Sequence, residues 1–552
     1  MTITNVRFHF SQTLSSIAVI VLNLSFFYSY GLADTVKIGL SVRATEADLP
    51  STDLGVRVLR PVYATVPVTR DGKTNVTVVM TLWLKRVGAA KGPYDMPHQA
   101  QDAIRLVVWV DNPTNLFQRT NGHLLLPTEH AHWSPKLSLE TEHPGPVLPI
   151  NMEPSRRHYR RVWGVGQRPY SYRVDLPAGV GECFKVIEAS YPLHKHTICL
   201  PPASEGDVCA SLAPPDVYTP DKPALYTMIG PVRHPQSSRD WAAHYAEVAG
   251  RLVNYVTYHV SIGASGLMLY ADELMRRYFA RNEQLAQLVH KGHLRLISWE
   301  LQERSHNDTD GVGRPLGYNY DQGLVGSHNL LGLSSCGANI FVLIGDLDEY
   351  IYFPRPGRKW PEPWGRCMGM GGGTSVPEPI TIHRLNRFET LTSAVPAANE
   401  SALWIEPGTL DVRVSADGDS AVQVHSTTPA GATPHPLALY DVVHATPMAK
   451  NKVKQASLPA AWVVLFWVHE GPQLFGKTQL VHQRCMSILH IANLFRPRRA
   501  EAQARPLPGH VRPFRHWMFL DAQLTQQQQQ QQQQQTMADG AGSVHNASIW
   551  EL

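Results

Sequence analysis

The sequence predicts an α/β domain preceded by a β-rich accessory region, and three observations carry that expectation. From about Ala224 onward, short apolar runs alternate with longer segments of helical periodicity, the pattern of a largely parallel sheet with crossover helices. From about Asp34 to Pro220 the chain instead shows short β-type runs separated by Pro and Gly. The 42 prolines and 40 glycines call for many loops and argue against a mainly helical protein. With 552 residues, 43% hydrophobic and 17% charged, the chain is globular in composition and has room for more than one domain. A net charge of +4 is too small to argue for nucleic acid or an anionic membrane surface as a partner.

Each element follows from local pattern. In the β-rich region the strand-like runs include Val56–Leu59, Val76–Leu84 and Leu106–Val110. The α/β region opens with a strand at Leu225–Ile229, ending at Gly230, Pro231, Val232 and Arg233. Asp240 is a plausible N-cap for a helix whose apolar stripe runs Trp241, Tyr245, Val248, Leu252, Val256 and His259, with Gly263 and Gly266 closing it. A second strand, Leu267–Tyr270, ends at Asp272, and a second helix is expected from about Glu273 to His290, stopped by Gly292. A third strand spans Leu294–Trp299, and a third helix is expected from about Asp321 to Ser335 with Gly337 as its stop. The fourth strand, Ile340–Ile344, runs into Asp346, Leu347, Asp348, Glu349 and Tyr350.

The two ends of the chain read differently from the middle. Residues 1–33 combine Arg7 with a mostly apolar stretch from Leu14 to Leu32, and Gly31, Leu32 and Ala33 resemble a cleavage site. Signal anchor and cleaved signal peptide both stay open, and both deliver the remainder to a lumen. Sequons at Asn75, Asn307, Asn399 and Asn546 agree with that placement, as do six cysteines. A local disulfide among Cys183, Cys199 and Cys209 is expected, with Cys336 equally readable as a buried thiol. His194, His196 and Cys199 have some zinc-like spacing, but a disulfide is the better reading in an oxidising compartment. The expected organisation is 1–33 signal segment, 34–220 β-rich region, 221–500 α/β domain and 501–552 low-complexity tail carrying the glutamine run 526–535.

The candidate chemistry lies at strand ends, where open parallel sheets bind ligands. Asp346 and Asp348 follow the fourth strand, and on extended chain two carboxylates one residue apart share a side. Such a hard oxygen pair suits Mg²⁺ or Mn²⁺, which can grip a diphosphate, although Asp-x-Asp strings also occur in turns and Ca²⁺ loops. Arg233 and Asp272 sit at the ends of the first and second strands.

Tyr258–His259, Gly263, Leu269–Tyr270 with Asp272, Tyr320–Asp321–Gln322, His328–Asn329 and Gly345–Tyr350 together resemble glycosyltransferase family 92, over roughly Leu225 to His482. Downstream, Trp467–Val468–His469–Glu470 resembles that family's Val-His motif, whereas Asn254–Tyr255 stands where members commonly carry Glu-Trp. The resemblance implies a GT-A-type, Rossmann-like nucleotide-sugar-binding domain. It also implies a lumenal, Golgi-located, metal-dependent enzyme that transfers galactose from UDP-galactose with inversion to a glycan or polysaccharide acceptor. Under it, Asp346 and Asp348 hold Mn²⁺ (or Mg²⁺) with His469 as a third ligand, and Asp346 and Asp272 contact the donor; Arg233, from its strand end, is read as a further donor contact. Other readings stand beside these: His469 as an ordinary strand-end histidine, Asp272 as a helix cap, Arg233 as the partner of a structural carboxylate. Glu470 is the nominated general base, with a solvated loop carboxylate as its alternative. Glu349 is expected to steady the metal loop, His328 and His259 to pack in the core. The implied localisation is a single-pass Golgi membrane protein, or a secreted one after cleavage. The competing function is a non-catalytic carbohydrate-binding protein that retains the transferase fold.

Overall fold

Four strands of near-continuous apolar sequence, Ala224–Val232, Gly266–Ala271, Leu294–Ser298 and Ile340–Ile344, pair in parallel as the frame of a seven-stranded sheet. The computed structural model describes residues 49–67, 75–88, 101–111, 119–120, 123–124, 134–142, 145, 147–152, 167–203, 208–232, 241–299, 317–336, 339–354, 358–362, 380–391, 403–405, 411–414, 421–423, 436–439, 442–444, 453–459, 477–491 and 511–513. Numbered in chain order, the seven strands lie 3-2-1-4-6-5-7, the last three being Ile380–Leu385, Lys454–Ser457 and Lys477–Leu480. The sixth runs antiparallel to both neighbours. The order reverses between strands 1 and 4, so their carboxyl ends part and leave a crevice.

Alternation along the strands sends side chains to two different cores. Leu225, Leu267, Leu269, Leu296, Phe341 and Leu343 pack with Leu252, Val256, Met275, Phe279 and Leu285 of the crossover helices. On the other face, Tyr226, Met228, Met268, Tyr270, Val342 and Ile344 meet Leu324 and Leu330 of the helix Gly317–Gly332, together with Trp83 and Trp109 of the β-rich region. Those tryptophans lie on Asn75–Val87 and Ala103–Asp111, two strands of a five-stranded sheet that Arg57–Pro67 also joins. A four-stranded sheet including Leu137–Thr141, Cys183–Glu188 and Lys195–Cys199, and a two-stranded ribbon of Arg119–Thr120 with His123–Leu124, are also described in this region. The β-rich and α/β regions belong to one compact unit, Leu49–Leu552.

Most expected elements are present within a few residues of their predicted bounds. The first crossover helix spans Trp241–Ser261, and Val248, Leu252, Val256 and His259 of its stripe are buried. Gly263 follows it with φ +93°, where an added Cβ would meet the Trp360 carbonyl oxygen at 2.5 Å. Gly266 does not close that helix; it opens the second strand, held against His293. The single helix expected over Glu273–His290 is two, Glu273–Ala280 and Glu283–His290. Asn282 breaks it, because its side chain accepts from the Leu285 amide at 3.0 Å and starts a new helix. The third helix ends at Gly332, not near Ser335: the Lys85 ammonium donates to the Gly332 and Leu54 carbonyls and caps it there.

The cysteines pair as Cys183–Cys199, within the local set expected, and Cys209–Cys336. Cys336 is therefore not a free thiol; it staples the chain just before the fourth strand to the short helix Cys209–Leu212. Cys485 is disulfide-bonded as well. No helix among the described residues is long and apolar enough to cross a membrane. The signal segment 1–33, Asp240, three of the four sequons and the glutamine run lie outside the described residues, while Asn75 is exposed at the start of its strand.

Candidate functional site

Gly345 leaves the fourth strand by donating its amide to the Met228 carbonyl at 3.1 Å, which fixes it at the crevice. The chain then turns, the Glu349 amide reaching the Asp346 carbonyl at 3.0 Å, and enters the strand Glu349–Tyr352 of a second sheet. Asp346 and Asp348 thus flank a turn, and the alternation of extended chain, which would set both on one side, does not apply between them. In the second sheet Glu349 lies opposite His490 on the antiparallel strand Ser487–His490, and Glu389 on Arg387–Leu391 pairs in register with that same histidine.

This places two linked charge groups side by side. Asp346 accepts from Gln322 Nε2 at 2.5 Å and from Lys454 Nζ at 2.7 Å, and Lys454 also pairs with Glu349 at 2.9 Å. Glu349, 1% exposed at its side chain, is further held by Arg387 at 3.0 Å and accepts from the Asp346 amide at 3.1 Å. In the second group, His490 lies 3.5 Å from Asp348 and 3.4 Å from Glu389. Burial by itself would lower the His490 pKa, but the Asp348 charge and the contacts to both carboxylates overturn that and raise it. Lys454 is fully enclosed and still held above the usual lysine value, because Asp346 and Glu349 outweigh its desolvation.

Asp348, Glu349 and His490 each offer a ligand atom within 4.8 Å of the others, and all three are buried. Two carboxylates and an imidazole are a donor set that a divalent ion accepts. Glu349 is shared with two cationic side chains, so Asp348 and His490 are the stronger part of that set.

The residues expected from sequence separate as follows. Asp346 and Asp348 come to the crevice, in different contact sets. Asp272 caps the helix Glu273–Ala280, accepting from the Met275 amide at 2.8 Å, at the carboxyl end of the second strand. Arg233, His469 and Glu470 lie outside the described residues. His259 is a satisfied core histidine: its Nδ1–H donates to Tyr255 at 2.8 Å and its Nε2 accepts from the Ile351 amide at 3.2 Å. Burial lowers it to about 3. His328 shares a 2.9 Å hydrogen bond with the Tyr270 hydroxyl among Trp83 and Trp299, likewise lowered to about 3 by burial. Sequence reasoning missed Lys454, Arg387, Glu389 and His490; Gln322 lay within a quoted motif but had no assigned role. None of the four sits in a local spacing that marks a ligand; register in the second sheet and the sixth strand bring them in.

No protein-family model matches this chain, and no curated protein matches it.

Proposed function

We propose that this protein is a glycosyltransferase of the secretory pathway with a GT-A-type domain, similar to family 92, using a nucleotide-sugar donor and a glycan or polysaccharide acceptor. UDP-galactose with inversion is the donor chemistry that the resemblance implies. The observation that carries the reading is the buried group Asp348, Glu349 and His490, with Asp346 joined to Glu349 through Lys454, just past the carboxyl end of the fourth parallel strand and beside the reversal of strand order. That is where an open sheet takes a nucleotide, and negative charge there suits a cation-assisted diphosphate leaving group. Mn²⁺ or Mg²⁺ bound by Asp348 and His490, with Glu349, would offset the charge that grows on the departing diphosphate. The protein's own residues fix the geometry: Arg387 and Lys454 hold Glu349 in place, and Gln322 and Lys454 orient Asp346. Glu470 stays the nominee for the base that takes the acceptor proton. Delivery to the Golgi lumen, as a type II membrane protein or after cleavage, accords with the disulfide-bonded cysteines.

The test is Mn²⁺-dependent UDP release from a panel of UDP-sugars by the purified protein and by Asp348→Asn. Wild type is expected to release UDP, with a loss of at least a hundredfold in the variant. Equal release from both ends the assignment of Asp348. A second reading, a carbohydrate-binding protein without turnover, is favoured by one observation: Asp346 and Glu349 are already neutralised by Lys454 and Arg387, a cluster satisfied without a ligand. Glycan binding with no UDP release from any donor selects it.

A further inference from the structure

Lys454 begins the antiparallel strand, so its side chain stands level with the carboxyl ends of the parallel ones, one register step beyond the Ile344–Gln455 pair. With Met228, Gly230, Gln322, Ile344 and Gly345 it lines a small opening between strands 1 and 4. An ammonium carries three donors. Lys454 spends one on Asp346 at 2.7 Å and one on Glu349 at 2.9 Å, and no described residue takes the third. The other buried lysine among the described residues offers a contrast: Lys85 ends on the backbone carbonyls of Leu54 and Gly332, a helix-capping role.

We propose that Lys454 is an oxyanion-binding residue, its third N–H receiving a phosphate oxygen of a nucleoside diphosphate. The proposal rests on the transferase reading above and adds a donor contact that is independent of any metal. The opening holds about 10 Å³, the room of a single water-sized group, so it admits the tip of an anion and not a sugar ring. Gly345 keeps the approach clear, since a Cβ there would meet only Glu349 Oε2 at an ordinary 3.4 Å. Asp346 and Glu349 act as positioning residues that hold the ammonium extended and charged at the mouth. The two carboxylates that hold this cation offset part of its charge, so the contact acts through a directed N–H more than through net attraction.

The experiment is calorimetric titration of the whole protein with UDP, pyrophosphate and uridine, each in EDTA and again in Mn²⁺. UDP and pyrophosphate are expected to bind in EDTA and uridine to bind at least tenfold more weakly than UDP. Lys454→Met is expected to weaken UDP at least tenfold in both buffers, and Lys454→Arg to recover part of it. Because Lys454→Met takes the cation from half-buried Asp346 and one of two cations from buried Glu349, the double variant Asp346→Asn with Lys454→Met removes charge of both signs and serves as the folded comparison, checked by its melting curve. UDP affinity within twofold of wild type in either variant overturns the role of Lys454 and leaves the transferase reading standing. Uridine binding as tightly as UDP, with pyrophosphate inert, overturns phosphate as the recognised group. Absence of UDP binding to wild type in both buffers overturns the nucleotide reading and this inference together.

Discussion

His328 and His490 are both sealed inside the protein, yet their surroundings drive them in opposite directions. His328 sits where the β-rich sheet packs on the α/β sheet, edge-on to Trp83, Tyr270 and Trp299, and burial lowers it to about 3. His490 sits at the carboxyl ends of the strands between Asp348 and Glu389, and its pKa is raised despite burial. Enclosure alone therefore does not decide the charge of a side chain; the nearest carboxylates do. The junction holds two regions together by packed rings, and its buried Lys85 ammonium is spent on the backbone carbonyls of Leu54 and Gly332. The strand-end cluster concentrates charge, and its ion pairs offset the cost in desolvation.

The sharpest way to break this contrast is to damage each side in kind. Trp83→Ala leaves a hole among Trp109, Trp299 and His328 and is expected to cost about 3–5 kcal/mol in urea-induced unfolding, with Trp83→Phe recovering most of it. Glu349→Ala takes a buried carboxylate partner from both Lys454 and Arg387, with a similar expected loss of about 3–5 kcal/mol. The two differ in rescue: adding Lys454→Met and Arg387→Met to Glu349→Ala is expected to restore stability, while no charge change repairs Trp83→Ala. Failure of that rescue would show that the cluster, too, is held by packing.

A smaller effect separates the histidines by pH. His328 and His259 are neutral in the folded protein, with values near 3, and an unfolded histidine titrates near its ordinary 6.5. The unfolded chain therefore binds more protons below that value, and stability is lost as pH falls from about 6.5 toward 3, by roughly 2 kcal/mol per histidine at pH 5. His490 has the opposite sign, its contribution being lost as pH rises through its raised value. The groups facing His328 are the Tyr270 hydroxyl, Lys85 and Asp53. Melting curves between pH 7 and 5 are expected to flatten in His328→Phe; an unchanged slope would remove His328 from the acid response. The smallest expected effect concerns Asp272, where Asp272→Ala costs about 1 kcal/mol if the residue only caps its helix. A concurrent drop in UDP affinity would give it the donor role as well.

Much of the architecture was legible in the chain. Apolar runs located the four parallel strands, the period of Val248, Leu252 and Val256 located the first crossover helix, and the carboxylates after Ile344 marked the candidate site. Asn282 illustrates what periodicity hides: a stripe continues through it, and only its own capping bond shows that the helix restarts. Asp346 and Asp348 were visible as a pair, but the assumption of extended chain assigned them a shared direction that the turn does not give them.

By itself the sequence determined where the four parallel strands and the first crossover helix lie, because periodicity and apolar runs act within a few residues of one another. Only the tertiary structure decided what surrounds the carboxylates. Lys454 reaches Asp346 across 108 positions, and Cys336 reaches Cys209 across 127. Such partners are chosen by strand order and register, which depend on the free energy of the assembled sheets and leave no mark in local spacing.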